Sequence, residues 1–145
     1  MIELYTIGFS EKSAEHFFEL LRTNGIQLLI DVRLKNTSQM AGFSKKDDLK
    51  YFLKTICNCN YLHIVEFAPT EDLLKGYKDK KISWNEYENQ YVDIIKKRDV
   101  ISTLIENHTT QKVCFLCSEH LPDKCHRRLL AEMIAKKNEP IKHLV

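Results

Sequence analysis

A three-layer α/β fold, with a mostly parallel sheet of about five strands and helices on both faces, is predicted by three observations. Short apolar runs of strand length alternate with helical patterns along the chain. The run Val113-Cys114-Phe115-Leu116 is continuous rather than alternating, as expected for a strand covered on both faces. No repeat, low-complexity tract or long linker breaks the order, so residues 1–145 are expected to form a single α/β domain.

The first strand is expected over Ile2–Gly8, ending in the turn Gly8-Phe9-Ser10. Ser10 is a candidate N-cap for a helix whose Ala14, Phe17, Phe18 and Leu21 share one face, and Asn24-Gly25 closes it. Gln27–Val32 reads as a second buried strand running into Asp31-Val32-Arg33, with a polar loop over Lys35–Phe43. Ser44 and Asp47 have cap spacing ahead of a helical face of Leu49, Phe52, Leu53 and Ile56. Asn60–Val65 is the third expected strand.

Pro69-Thr70-Glu71 opens a short helix through Tyr77, and Ser83 with Glu86 forms a capping box. The helix it starts carries Trp84, Tyr87, Tyr91, Ile94 and Ile95 on one face. A further helix from about Asp99 carries Val100, Ile101, Leu104 and Ile105, so the insertion between the third and fourth strands is all helical. After the strand at Val113–Leu116, Pro122 and Asp123 signal a turn and a helix start. Leu129, Leu130, Met133 and Ile134 then recur at helical spacing, and Pro140 precedes a final strand over Ile141–Val145.

Charge and composition narrow the function classes. Net charge of +2 gives no strong basic field, so nucleic-acid binding is neither suggested nor excluded. No apolar run approaches membrane-spanning length, and Ile2-Glu3-Leu4-Tyr5 has no signal-peptide layout. A cytoplasmic protein without a membrane partner is expected. Five cysteines is an odd number in a chain large enough to fold without staples, which points to thiols, ligands or nucleophiles rather than crosslinks. Lysine dominates the basic residues, and three of the five arginines, Arg33, Arg127 and Arg128, fall in the two motif regions. Arginine's rigid fork suits bidentate anion recognition.

The densest chemistry lies at Cys117, Glu119, Cys125, His126 and Arg127, where a strand end meets a helix start. Ligands of parallel α/β sheets bind at such junctions. If Asp123 caps the last helix, the free N–H groups of Cys125 and His126 carry its positive end and can hold an anion or lower a thiol pKa. Cys117 or Cys125 would then be the nucleophile, His126 the base or orienting group, and Arg127 the charge neutraliser. The structural alternative is a buried strand cysteine, which Cys114 is expected to be, followed by a helix with a hydrogen-bonded histidine. Arg128, four residues before Glu132, reads as a surface pair.

The other strand tips converge on the same rim. Thr6, Gly8 and Ser10 end the first strand, Asp31 and Arg33 the second, and His63 and Glu66 flank the third. Arg33 would reinforce an anion pocket, and Asp31 would hold it or a histidine; the plainer alternative is local capping and a surface ion pair. A metal is a second possibility for Cys117, Cys125 and His126, although their spacing is not a tight zinc knuckle. Cys57 and Cys59 would have to complete four ligands. Trp84, Tyr87 and Tyr91 fit a stacking platform or, more simply, a helix core face.

The segments Tyr5-Thr6-Ile7-Gly8-Phe9-Ser10, Leu29-Ile30-Asp31-Val32-Arg33, Gly42-Phe43-Ser44 and Leu116-Cys117-Ser118-Glu119…Cys125-His126-Arg127-Arg128 resemble, in matching order, the family called domain of unknown function 488. That resemblance implies an α/β domain with a cysteine-histidine-arginine site and carries no reaction. The family has histidine where this chain has Phe9. A weaker similarity is to rhodanese-like domains, which share the Asp-Val-Arg strand end and a cysteine ahead of an anion-binding helix. Their short loop is rich in glycine and arginine, whereas Ser118–Lys124 has no glycine.

The leading expectation is a thiol-dependent enzyme-like domain acting on a small anionic or phosphate-bearing substrate, with no cofactor assigned. The alternatives are a non-catalytic nucleotide or nucleic-acid binding module and a structural metal site at the same residues.

Overall fold

The continuous apolar run forms the central strand. In the computed structural model, which describes residues 2–107, 111–135 and 139–145, the strands are β1 (Glu3–Gly8), β2 (Leu28–Asp31), β3 (Asn60–His63), β4 (Lys112–Cys117) and β5 (Ile141–Leu144). They pair in the order β3-β2-β4-β1-β5. The sheet is parallel throughout rather than mostly so. Gly8 lies opposite Cys117, and Asp31 opposite both Leu116 and His63, so these strand tips share one carboxyl edge.

Six helices cover the two faces among the described residues: α1 (Ala14–Thr23), α2 (Lys46–Phe52), α3 (Glu71–Lys78), α4 (Trp84–Arg98), α5 (Ile101–Asn107) and α6 (His126–Ile134). Pleating divides the central strand between them. Cys114 and Leu116 pack with Phe17, Phe18 and Leu21 of α1 and Leu49 of α2. Val113, Phe115 and Cys117 pack with Tyr87, Tyr91 and Ile95 of α4 and Leu129, Leu130 and Ile134 of α6. Connections from β1 and β2 thus leave toward one face while that from β4 leaves toward the other. Cys117 therefore ends a strand flanked on both sides by switches in direction, where parallel sheets open a crevice.

Several element boundaries differ from the sequence reading for local reasons. Ser13, not Ser10, caps α1, its side chain accepting from the His16 N–H. Gly25 closes that helix in the left-handed region at φ 66°. Lys45, not Ser44, is the N-cap of α2; Ser44 is buried and accepts from Arg33, and a 3-10 turn over Gln39–Ser44 replaces most of the expected polar loop. Beyond Phe52 the helix widens into a π turn, Leu53–Cys57, which carries Ile56 off the buried face to 42% exposure. β3 ends at His63 because Val65–Phe67 coils into a 3-10 turn. The capping residues Thr70 and Ser83 accept from Leu73 and Glu86 N–H, as their spacing predicts. The Ile105 side chain lies outside the described residues.

Candidate functional site

The expected cap at Asp123 does not form. Cys125 is the N-cap of α6, extended at φ −140°, ψ 138°, with no side-chain cap, and His126 is the first helical residue. The loop is held from beneath instead. Arg127 is fully buried and donates Nη1 to the Glu119 carbonyl (2.6 Å) and Nη2 to the His120 carbonyl (3.2 Å). Gly8 permits this approach: a Cβ there would sit 1.6 Å from the Glu119 carbonyl oxygen. Strand β1, the loop and the α6 arginine form one knot.

That knot fixes Cys117 against α6. Its Sγ lies 3.6 Å from each ring nitrogen of His126. His126 Nε2 is 2.8 Å from the Val32 carbonyl, which can only accept, so Nε2 carries the proton and Nδ1 keeps its lone pair in the neutral ring. The Tyr91 ring packs at 5.4 Å from the imidazole and is itself anchored by its hydroxyl to the Phe67 carbonyl (2.7 Å). Cys117, Cys125 and His126 are all buried, and their ligating atoms lie within 4.8 Å of one another.

The five thiols fall into two classes. Burial pushes Cys59 up to about 12 and raises Cys57 and Cys114. Cys125 is raised by donating a hydrogen bond to Cys117 and by burial. Cys117 alone is lowered: the bond from Cys125 is the largest cause, burial opposes it, and the Ser118 N–H and the Arg127 charge assist. Arg127 has no carboxylate within 4.0 Å, and its Nε is the single buried side-chain nitrogen or oxygen without a partner among the described residues.

Arg33 occupies the opposite situation. It binds Asp31 through Nε (2.8 Å) and Nη2 (2.7 Å), donates to the Ser44 carbonyl (2.6 Å), and lies over the Phe9 ring at 5.4 Å. Asp31 also accepts from Tyr61 Oη (2.7 Å) and Asn36 Nδ2 (3.2 Å). Burial alone would push this carboxyl up; the Arg33 guanidinium, Tyr61 and the Arg33 N–H outweigh it and hold it below the usual carboxylate range.

A cleft of about 450 Å³ opens beside this edge, and Arg33, Glu119, Cys117, Cys125 and His126 all line it. The remaining residues singled out at the strand tips do not. Arg127 lies under the loop, Asp31 behind Arg33, and Gly8 against Glu119. Thr6 is buried and bonded to His143 Nδ1 (2.6 Å), while the Ser10 N–H donates to the Ser118 carbonyl. His63 Nε2 meets the Arg33 carbonyl (2.7 Å). Cys57 and Cys59 pack on the α1 side of the sheet, so they cannot complete a metal site with Cys117.

Sequence reasoning missed the Val32 carbonyl, which no residue type signals, and Asn36, Ser44 and Tyr61, which sit on separate elements around Asp31. It also missed Tyr77, Lys75, Lys78 and Lys124, which line the cleft from α3 and the last loop. A hint was available in the Trp84 stripe, whose Trp84 and Tyr87 both line the cleft while Tyr91 is core.

The fold and site together define a parallel α/β protein with a Cys-Cys-His cluster at the sheet's carboxyl edge. Residues 13–134 match the family model described as domain of unknown function DUF488, and the chain belongs to that family. No curated protein and no solved structure was found to match it. Among the described residues no helix is long and apolar enough to cross a membrane.

Proposed function

We propose that the cleft is a reaction site in which Cys117 acts as a thiolate nucleophile on a small anionic substrate, with His126 moving the proton. The observation that carries this reading is the placement of Cys117 Sγ 3.6 Å from the His126 ring nitrogens. The Cys125 thiol and the buried Arg127 guanidinium, which has no carboxylate partner among the described residues, both favour its charged form. A buried charge needs a counter-charge, and the thiolate supplies one. The Cys125 thiol and Ser118 N–H support the same charge.

The chemistry balances as acyl or phosphoryl transfer. The Cys117 proton resides on His126 Nδ1 when Sγ attacks; the S–X bond forms as the bond to the leaving group breaks with its electron pair. The leaving group takes the Nδ1 proton. Water then gives a proton back to Nδ1 while its oxygen displaces Sγ, restoring thiolate and imidazolium. Substrate charge falls to the cleft lysines, since Arg33 is already matched by Asp31.

Alkylation of the full chain with iodoacetamide, followed by peptide mass spectrometry across pH, tests this. Cys117 is expected to react with a midpoint below the free-thiol value of about 8.5, and below that of Cys57, which burial raises. A Cys117 midpoint at or above the free-thiol value overturns the nucleophile.

One specific observation favours a second reading, a divalent metal. A tetrahedral zinc with bonds of about 2.3 Å to sulfur and 2.0 Å to nitrogen needs donors roughly 3.5–3.8 Å apart, and Cys117 Sγ and His126 stand at 3.6 Å. The Nε2–H bond to Val32 is the outer support that metal-bound histidines use. Elemental analysis of protein purified without chelator decides: about one zinc per chain, lost in Cys117→Ser, replaces the nucleophile by a ligand set.

A further inference from the structure

Resting on the reading of this cleft as a substrate site, we infer that its substrate class is a mononucleotide: an aromatic base carried on a phosphate. Two features of the walls point there. The helical insertion presents an aromatic cluster, Trp84 stacked on Tyr87 at 5.1 Å and 19°, with Tyr77 edge-on to Trp84 at 5.4 Å. All three line the cleft; Tyr87 is buried, whereas Trp84 and Tyr77 keep partial exposure. Aromatic faces of this kind take up planar bases without sequence preference.

The second feature is charge. Lys75 and Lys78 of α3 and Lys124 of the β4–α6 loop line the same cleft, and among the described residues no carboxylate pairs with them within 4.0 Å, whereas Lys35 is already bound to Glu71 at 3.2 Å. Lysine is a general phosphate binder. Asp79 and Glu119 are the unpaired carboxylates of the lining, leaving one lysine in excess (three against two). A ligand with both an apolar ring and a compact anion uses both walls, and a bare anion or a bare ring uses one. A volume of about 450 Å³ lies within the range of small-molecule sites.

The chain has a single tryptophan, so its fluorescence reports on the cleft directly. AMP and UMP are titrated against the full chain at low salt, with inorganic phosphate, adenosine and a short single-stranded oligonucleotide as comparisons, and calorimetry as the second readout. Saturable one-to-one binding is expected, at least about 10-fold tighter than phosphate or adenosine. Lys75→Ala/Lys78→Ala and, by calorimetry, Trp84→Ala should each weaken it about 10-fold.

Phosphate binding as tightly as AMP, the oligonucleotide binding tighter with a steep salt dependence, or no binding by about 5 mM each overturns the assignment. The nucleophile is judged separately by the Cys117 alkylation profile. A depressed midpoint without nucleotide binding sinks the substrate class alone; nucleotide binding with an ordinary midpoint sinks the nucleophile alone.

Discussion

Two arginines are buried at the same sheet edge, and their surroundings differ in kind. Arg33 meets a carboxylate that is itself fully satisfied, so its charge is cancelled within 2.8 Å and its role is to hold β2, Ser44 and Asn36 together. Arg127 meets only carbonyl dipoles and keeps an unpartnered Nε, so its field reaches thiols that can become anions, Cys117 among them. A matched buried pair anchors structure, and an unmatched buried charge tunes a neighbour.

The largest expected effect comes from unmatching the first pair. Asp31→Ala strands a buried guanidinium and should destabilise the chain by about 3–5 kcal/mol, measured by urea unfolding. Arg33→Met should cost a similar amount by stranding Asp31. Because the folded carboxyl titrates below its unfolded value of about 3.9, its contribution is fully present above that pH and disappears as pH falls through the folded pKa. Wild-type stability should therefore drop on acidification below about pH 4, and Asp31→Ala should flatten that drop. A change under about 1 kcal/mol on Asp31→Ala would mean that the pair is not a structural anchor.

Next in size is the knot at Gly8. Its Cβ-less backbone lies under the Glu119 carbonyl, and Gly8→Ala must displace the loop or the strand. A loss of about 3 kcal/mol is expected, together with a rise of the Cys117 alkylation midpoint as Arg127 loses its seat. Near-wild-type stability would show that the loop moves freely off β1, and the comparison between the two arginines would lose its geometric basis.

The third prediction separates the two directly. Arg127→Met removes the charge and the two loop hydrogen bonds together, so it should loosen the loop as well as alter thiol reactivity. Cys117 alkylation at neutral pH should slow and its midpoint should rise, while Cys57 and Cys59, which do not feel the Arg127 charge, keep their rates. If Cys117 keeps its midpoint, the lowered pKa comes from Cys125 and Ser118 alone.

The order, the helical faces and the parallel sheet were legible because period and turn chemistry are local properties. Val113–Leu116 announced a two-sided strand, and Ser83 with Glu86 announced a helix start. The convergence of Cys117, Cys125, His126 and Arg33 on one cleft followed from strand ends lying together in a parallel sheet. What the sequence withheld is set by contacts between distant elements. Nothing local says that Asp31 faces Tyr61, thirty residues on, or that Arg127 turns toward β1 rather than into the cleft. Ser10 and Asp123 had the right chemistry for caps, but the caps fall at Ser13 and Cys125, three and two residues later. Trp84 has the same spacing as its core neighbours and differs only because it stands at the open end of α4.

The smallest expected effect belongs to Arg128, which follows Arg127 in the chain and points the other way. It bonds Glu132 at 2.8 Å, approaches Glu88 at 3.7 Å, and donates to the Asp123 carbonyl at 2.9 Å. The i,i+4 pair runs from the cation to the acid, the weaker orientation on a helix, and Glu132 is half exposed. Arg128→Ala should therefore cost under about 1 kcal/mol, shrinking further in high salt, and should leave the Cys117 midpoint where it is. A larger loss that persists in salt would trace to the Asp123 carbonyl, making the loop depend on both arginines; a shifted Cys117 midpoint would mean that charge on either side of α6 reaches the thiol.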